Sequence, residues 1–172
     1  REVGVVVSID VNFRPRASPH LSAYIRAVER TYALCDLVKL SDEDLRGMGR
    51  TGSSEHEARR ILACLPPESG LVVVTEGSRG ALLMNRVARV RVDAISVEQV
   101  ADTVGAGDCF EAGLLTALVE SKLLKDHAYA HCSGTQLRAL ADRARVTAAL
   151  NVSQTGCQPP SREAVDRALS TL

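Results

Sequence analysis

The seven residues from Asp102 to Asp108 combine the residue types that bind and transfer a phosphoryl group. Gly105 and Gly107 flank Ala106, so backbone N–H groups can converge on one point without obstruction by side chains. An apolar helix predicted to begin there adds unpaired N–H groups and the positive end of its dipole. Asp108, in the first turn, could accept a proton from an attacking hydroxyl. A glycine-rich loop with an acidic helix start is the alternative, but the acids at both ends favour function.

Two common phosphate-binding motifs do not fit this run. A P-loop places a lysine after its last glycine, whereas Asp108 follows Gly107 here. A dinucleotide-binding fingerprint places glycine or alanine where Phe110 stands. The run therefore predicts a phosphate cradle of another kind, with an acid beside it.

Small and polar residues also lie at the end of a predicted buried strand. Thr75 closes that strand, and Gly77 and Gly80 follow it directly. Ligands of α/β domains bind at the carboxyl ends of strands, and glycines there allow phosphates to approach the backbone. A tight turn before a hairpin would explain these glycines equally well.

Two earlier predicted strands end in charged and amide side chains. Asn12 and Arg14 follow the first strand, and the guanidinium fork of Arg14 suits a phosphate or a carboxylate. An arginine in an ordinary loop is the alternative. Lys39, Ser41 and Asp44 lie in and after the second strand. Ser41 and Asp44 also have capping-box spacing at a helix start, which would explain both without a ligand.

Composition favours one globular domain and argues against several function classes. The chain has 172 residues, of which 45% are apolar, enough for one domain with a hydrophobic core. Its 21 basic and 21 acidic side chains balance, which gives no electrostatic case for nucleic acid or a membrane as partner. No apolar run approaches the roughly 20 residues that span a bilayer. Five dispersed cysteines predict reduced thiols and a cytoplasmic protein.

Hydrophobic periodicity predicts strands alternating with helices, and therefore an α/β domain with a mostly parallel sheet. The predicted strands are residues 3–9, 36–40, 71–75, 81–84 and 87–92, the last two as a hairpin. The predicted helices are residues 21–34, 54–65 and 135–150, one that begins at the glycine-rich run, and one from Ser161. The first strand is expected to be buried on both faces because it is almost wholly apolar. Ser54 and Glu57 are expected to cap the second helix.

Four segments, in chain order, are similar to motifs of the ribokinase-like (PfkB-type) carbohydrate kinases. The run from Asp102 to Asp108 resembles the family signature Asp-Thr-x-Gly-Ala-Gly-Asp. Residues 10–15 resemble Asp-x-Asn-x-Arg-Pro, residues 36–44 resemble Asp-x-x-Lys-x-Asn-x-x-Glu, and residues 75–80 resemble Thr-x-Gly-x-x-Gly. In residues 36–44, Ser41 stands where the family pattern has Asn, and Asp44 stands where it has Glu. Ser at position 41 resembles the branch of fructokinases and 2-keto-3-deoxygluconate kinases.

The resemblance implies a ribokinase-like three-layer α/β/α fold with a mostly parallel sheet. A complete member of that family is nearly twice as long and carries an N-terminal half with a sugar-binding motif and a β lid. We therefore expect residues 1–172 to be the C-terminal nucleotide-binding and catalytic portion of a kinase domain, with the N-terminal half and the lid missing. The full-length protein is expected to be a homo-oligomer, since the lid usually forms the subunit contact.

The resemblance also implies roles for individual residues, with ATP and Mg²⁺ as cofactors and, in some members, a monovalent cation such as K⁺. Asp108 would be the general base, and Gly105, Ala106 and Gly107 the anion hole. The residues expected to bind ATP are Asn12, Lys39, Ser41, Thr75, Gly77, Gly80, Gly105 and Gly107. Arg14 and Asp108 would contact the substrate, and Asp44 and Asp102 would influence the metal only indirectly. For Asp102, capping of its own loop is the alternative.

The expected activity is ATP-dependent phosphorylation of a hydroxyl of a sugar or sugar acid. The run from Asp10 to Arg14 favours 2-keto-3-deoxygluconate by resemblance, with fructose next. The alternative function is a truncated, non-catalytic remnant that binds nucleotide weakly or acts through an interface.

Overall fold

The computed structural model describes residues 5–172, in which strands and helices alternate as predicted. The strands are β1 (Ser8–Asp10), β2 (Leu37–Ser41), β3 (Leu71–Thr75), β4 (Ala81–Asn85) and β5 (Arg89–Val92). The helices are α1 (Leu21–Thr31), α2 (Asp42–Gly47), α3 (Ser54–Cys64), α4 (Ala106–Glu120), α5 (Gly134–Val152) and α6 (Arg162–Leu169). Short 3₁₀ turns cover Pro15–Ala17, Tyr32–Leu34, Gly77–Arg79 and Lys125–His131.

The strands form one sheet in the order β1-β2-β3-β4-β5. The pairs β1–β2 and β2–β3 are parallel, and β4 and β5 form the predicted hairpin, with β4 antiparallel to both neighbours. Four strands therefore point the same way and only β4 is reversed, which confirms the mostly parallel sheet. The register pairs Asp10 with Lys39 and Ser41 with Thr75, so the polar ends of β1, β2 and β3 lie side by side.

Two hydrophobic cores, one on each face of the sheet, confirm the three-layer architecture. Alternate residues of each strand point to opposite faces, so neighbouring strand residues contribute to different cores. Val38 and Val72 pack with Ile61 of α3 in the core under α1–α3. The other core packs α4 and α5 against the opposite face. Its members include Leu37, Leu71, Val73, Phe110, Leu114, Leu137 and Leu140.

The first strand differs from the prediction. Its predicted residues 3 and 4 lie outside the described part of the chain, and pairing begins only at Ser8. Val5 and Val7 are 58% and 41% exposed, and β1 is exposed or half-buried along its length. The expectation of burial on both faces was therefore wrong for the described residues. Within them β1 has a single neighbouring strand, β2, so an apolar sequence alone did not secure its burial.

The helix starts near the site are fixed by local hydrogen bonds. The predicted capping box of α2 is present, because Ser41 and Asp44 each bond the other's backbone N–H. The cap of α3 is Ser53, which accepts a hydrogen bond from the N–H of His56, and not the predicted Ser54. The prediction was one residue out because both positions carry serine, and only the backbone conformation distinguishes them.

Close packing of α4 on α5 determines where the glycine-rich run lies. A Cβ atom on Gly113 would come within 2.6 Å of Thr147 Oγ1 and 2.9 Å of Ala144 Cα, so glycine allows the two helix backbones to approach. The start of α4 lies beside β1 and β2, since Ser8 of β1 bonds Glu111 and Lys39 Nζ of β2 reaches Gly107. Among residues 5–172, no helix has the length and apolar character needed to cross a membrane.

Candidate active site

The glycine-rich run forms a tight turn that leads directly into α4. Gly105 is the N-cap residue, with φ = 76° and ψ = 0°, a left-handed conformation that favours glycine. The helix then begins, with the N–H of Cys109 bonded to the Gly105 carbonyl at 2.8 Å. Helix geometry leaves the N–H groups of the first turn without a partner inside the helix, although that of Ala106 donates to the Thr103 carbonyl at 3.2 Å. The other N–H groups and the positive end of the helix dipole point toward Gly105–Gly107. This geometry suits the predicted anion cradle, and the binding of an anion here stays a prediction.

A buried lysine lies beneath this cradle. Lys39 of β2 is 3% exposed, and its Nζ lies 3.0 Å from the position that a Cβ atom would take on Gly107. The same ammonium donates to Asp10 Oδ2 at 2.5 Å, which compensates its charge in the partly buried site. The structure therefore brings together Lys39 and Gly107, two residues that the sequence placed in separate motifs. A positive charge under glycine N–H groups strengthens the attraction for phosphate.

Asp108 occupies the first turn of α4 with its side chain exposed. Within the described residues its carboxylate has no hydrogen bond or ion pair, in contrast to the other acids of the site. It lies at the edge of a cleft of about 380 Å³ between α4, α5 and α6. An accessible carboxylate beside an anion cradle is the arrangement that a general base requires.

Asp102 ties the run to the turn near the C terminus. Its Oδ1 accepts from the N–H of Val104 and its Oδ2 from the N–H of Gly156, each at 3.0 Å. These backbone hydrogen bonds lower the pKa of the Asp102 carboxyl below its ordinary value. Both oxygens are thus used within the protein, which fits the loop-capping alternative. Buried Asn151 adds a second link, since its Nδ2 donates to the Val104 carbonyl at 2.8 Å.

Asp44 links the ends of β1 and β2. Its Oδ1 accepts from the N–H of Phe13 at 2.7 Å, and its Oδ2 accepts from the N–H and the hydroxyl of Ser41 at 2.7 and 2.8 Å. The carboxylate is buried, and it positions the loop that carries Asn12 and Arg14. In that loop the Arg14 guanidinium donates to Asn12 Oδ1 at 2.5 Å. The metal role predicted for Asp44 receives no support from these contacts and stays a prediction.

The loop after β3 lies beside Ser41, as the Ser41–Thr75 register requires. Gly77 and Gly80 have φ values of 58° and 98°. A Cβ atom on Gly80 would lie 1.9 Å from the Val92 carbonyl oxygen, so the hairpin itself requires glycine there. A Cβ atom on Gly77 would meet no atom within 4 Å. A tight turn before the hairpin therefore explains Gly80 fully. It explains Gly77 only by the positive φ, since no neighbouring atom excludes a side chain there.

The predicted site residues form two groups in the structure. Around the N terminus of α4 lie Lys39, Gly105, Ala106, Gly107 and Asp108, with Asp102 in the loop just before it. The other predicted residues lie at the carboxyl ends of β1, β2 and β3: Asn12, Arg14, Ser41, Asp44, Thr75, Gly77 and Gly80. Lys39 connects the groups, because it lies on β2 and reaches Gly107. Among residues 5–172, no group of three or more metal-binding side chains is assembled.

Two acidic residues of the site were missed by the sequence analysis. Asp10 was part of a quoted motif but received no role, and it pairs with Lys39. Glu111 lies one turn after Gly107 on α4, and its Oε1 accepts from Ser8 Oγ at 2.7 Å. Burial raises the pKa of the Glu111 carboxyl, while Ser8 and Lys39 oppose the shift and Asp10 adds to it. The i to i+4 spacing from Gly107 was the available signal, since it places Glu111 on the same helix face.

The chain is similar in sequence and fold to known carbohydrate kinases. Residues 4–164 match the model of the pfkB family carbohydrate kinases. A fructokinase of Rhizobium leguminosarum bv. trifolii is 38% identical over 135 residues, which are 77% of this chain and 40% of that protein.

Solved structures of a fructokinase from Vibrio cholerae O395 superpose well on the chain. The form with fructose, ADP and calcium bound has a TM-score of 0.78 at 30% identity, over 98% of this chain and 52% of that one. A double mutant with fructose, ADP and potassium bound has a TM-score of 0.80 at 30% identity, over 98% and 51%. The chain thus spans about half the length of these proteins or less. The match over nearly all its residues shows that the chain belongs to the pfkB family of carbohydrate kinases.

Proposed function

We propose that the protein transfers the terminal phosphoryl group of ATP to a hydroxyl of a sugar. One observation supports the proposal: Lys39 Nζ lies next to Gly107 in the Gly105–Gly107 turn, and the exposed Asp108 follows that turn, which suits a phosphate held next to a candidate base. Phosphoryl transfer requires positioning and charge stabilisation more than covalent chemistry from the protein. The family membership of the chain supports the same reaction class.

In this mechanism Asp108 accepts the proton of the acceptor hydroxyl as its oxygen attacks the γ-phosphorus. ADP leaves from the opposite side, and the new phosphate ester keeps the transferred group. The N–H groups of Gly105 and Gly107 and the Lys39 ammonium stabilise the charge that develops on the phosphoryl oxygens, while the N–H of Ala106 is bonded to the Thr103 carbonyl. A single such donor is worth about 10²–10³ in kcat, and a general base about 10²–10⁴.

The nucleotide would lie along the carboxyl ends of β1, β2 and β3. Ser41 and Thr75 are adjacent in the register of the parallel strands, and Gly77 gives open backbone next to them. Asn12, with its left-handed φ of 45°, lies at the end of β1. Ligands of α/β folds bind at this edge of the sheet.

The residues fit a magnesium ion that arrives with the nucleotide better than one held by the protein alone. Both oxygens of Asp44 and of Asp102 are bonded within the protein. Mg²⁺ is commonly bound by one or two carboxylates together with substrate phosphates, and it would neutralise phosphate charge when bound. A monovalent cation such as K⁺ is proposed only from the resemblance, and its expected place is the loop that Asp102 holds against Gly156.

For the acceptor sugar, we place fructose ahead of 2-keto-3-deoxygluconate, which the sequence had favoured. The relatives are fructokinases, and one solved fructokinase holds fructose. The guanidinium of Arg14, expected to bind a sugar acid, is bonded to Asn12 and to the Phe13 carbonyl. A sugar acid would have to compete with these contacts.

The proposal is tested by an ADP-release assay of the full-length protein with ATP and Mg²⁺. Fructose, 2-keto-3-deoxygluconate and ribose are supplied in turn, with the Asp108→Asn variant as the inactive control. We expect ADP release that depends on fructose, and a phosphorylated sugar detected by mass spectrometry. Nucleotide binding without sugar-dependent ADP release would contradict the proposal and support the non-catalytic alternative.

A further inference from the structure

Glu111 is a half-buried acid on α4, one helical turn after the glycine-rich run. It lies four residues after Gly107, about 6 Å along the axis of α4, and helical side chains tilt toward the N terminus. Its Oε1 accepts from Ser8 Oγ of β1 at 2.7 Å. Its Oε2 is buried and has no hydrogen-bond partner among the described residues. A carboxylate with one buried oxygen that accepts no hydrogen bond is in a costly state when ionised.

The charges that face Glu111 do not compensate it fully. Asp10 of β1 and Lys39 of β2 are the charged groups opposite, and Asp108 lies three residues earlier on α4 itself. Lys39 is already paired with Asp10 at 2.5 Å. Two carboxyl groups thus share one ammonium, which also lies under Gly107. Burial raises the pKa of the Glu111 carboxyl, which agrees with this incomplete compensation.

We propose that Glu111 is a proton-binding positioning residue, whose carboxyl group takes up a proton when a nucleotide phosphate binds at Gly105–Gly107. This inference rests on the proposed function. A bound phosphate adds negative charge beside Lys39. Because the Lys39 ammonium then faces three anions, it stabilises the ionised form of Glu111 less. The proton comes from the solvent and neutralises the Glu111 carboxylate. The positive charge of Lys39 is then compensated by Asp10 and the phosphate. Phosphate affinity therefore rises as the pH falls through the range in which Glu111 titrates.

The test is titration calorimetry of ADP binding to the full-length protein in two buffers of different ionisation enthalpy. The dependence of the observed heat on the buffer gives the number of protons taken up. Measurements between about pH 5 and about pH 7 cover the range above the ordinary carboxyl value. The phosphate of ADP titrates near pH 6 itself, so the wild type is compared with Glu111→Gln, in which that contribution remains.

We expect the wild type to take up roughly half a proton more than Glu111→Gln at the maximum of the pH profile, since a single group binds at most one. The exposed Glu68, on the turn before β3, gives the control Glu68→Gln, which should match the wild type. Equal proton uptake in the wild type and in Glu111→Gln, with ADP bound by both, would overturn this inference and leave the proposed function in place. Absence of ADP binding by every protein would remove the proposed function as well.

A second variant, Ser8→Ala, tests the same assignment if Glu111→Gln does not fold. Ser8→Ala keeps the carboxyl group and removes a hydrogen bond that favours its ionised form. The pH of maximum proton uptake should therefore shift upward in Ser8→Ala. An unchanged profile in this variant would contradict the assignment of the proton to Glu111.

Discussion

Cys157 Sγ lies 2.2 Å from the position that a Cβ atom would take on Gly105. The turn around Gly156 therefore packs directly against Gly105, the first residue of the glycine-rich turn. Asp102 holds this turn from the other side, by accepting from the N–H of Gly156. Glycine is required at position 105 for two independent reasons, its left-handed φ of 76° and this contact.

We expect Gly105→Ala to destabilise the protein by more than the roughly 1–2 kcal/mol that a left-handed conformation costs an ordinary residue. Activity should fall at least tenfold, because relief of the clash must move either the cradle or the turn. Urea unfolding and kcat measure the two effects.

Gly49→Ala is the matched control, since Gly49 has φ = 72° and its Cβ would meet no atom within 4 Å. Its loss of stability should reflect the backbone conformation alone. In the Gly105→Ala background, Cys157→Gly should recover the part due to the clash. Equal stability losses at positions 49 and 105 would show that Cys157 does not constrain the cradle.

The local parts of this site were predictable, because short-range patterns determine them. The bounds of β3, the capping box of Ser41 and Asp44, and the helix start at the glycine-rich run all depend on neighbouring residues. The contacts of Asp10 and Glu111 were not predictable in this way, although the i to i+4 spacing from Gly107 gave the helix face of Glu111. Ser8 and Glu111 are 103 positions apart, and only the packing of α4 over β1 brings them into contact. The exposure of β1 likewise depends on which strands flank it, and no local pattern reports that.

Asp108→Asn should lower kcat by at least about 100-fold and leave the Kd for ATP within a few-fold. The carboxylate handles the acceptor proton, whereas backbone N–H groups and Lys39 hold the phosphates, so the loss is confined to the transition state. Steady-state kinetics and calorimetry on the full-length protein measure both quantities. Asp126→Asn, an exposed acid on another loop, is the control and should keep full activity. Retention of more than about a tenth of kcat in Asp108→Asn would remove Asp108 from the role of base.

Lys39→Met should weaken ATP binding by about 10- to 100-fold, as expected for the loss of a charged hydrogen bond to phosphate. It should also destabilise the protein by up to about 3 kcal/mol, because Asp10 loses its partner in a partly buried site.

The double variant Asp10→Asn/Lys39→Met separates these effects of Lys39. It removes the unpaired charge, so stability should largely return, while ATP affinity should stay low. Calorimetry and chemical unfolding of the three variants give the answer. Recovery of ATP affinity together with stability would mean that Lys39 supports the fold and does not attract phosphate.

The stabilising effect of Asp102 should depend on pH. Its pKa is lowered in the folded state by the hydrogen bonds from Val104 and Gly156, against an ordinary value of 3.8. A lowered pKa means stability that is present above the unfolded value and lost as the pH falls through the folded one. Asp102→Asn should therefore melt below the wild type at neutral pH, and the difference in Tm should shrink below about pH 4. A difference in Tm that is the same at pH 7 and pH 3 would show that the carboxylate charge is not what holds the turn.

Arg14→Leu distinguishes a sugar-acid substrate from a neutral one. If Arg14 leaves Asn12 to pair with a substrate carboxylate, KM for 2-keto-3-deoxygluconate should rise by tens-fold, and KM for fructose should change little. Arg16→Leu is the control, because Arg16 is an exposed arginine two residues away on the following 3₁₀ turn. If fructose is the physiological acceptor, as proposed, the wild type should use fructose far better than the acid, and Arg14→Leu should affect both substrates equally. A large, acid-specific loss would restore 2-keto-3-deoxygluconate as the substrate, because only a carboxylate contact produces that selectivity.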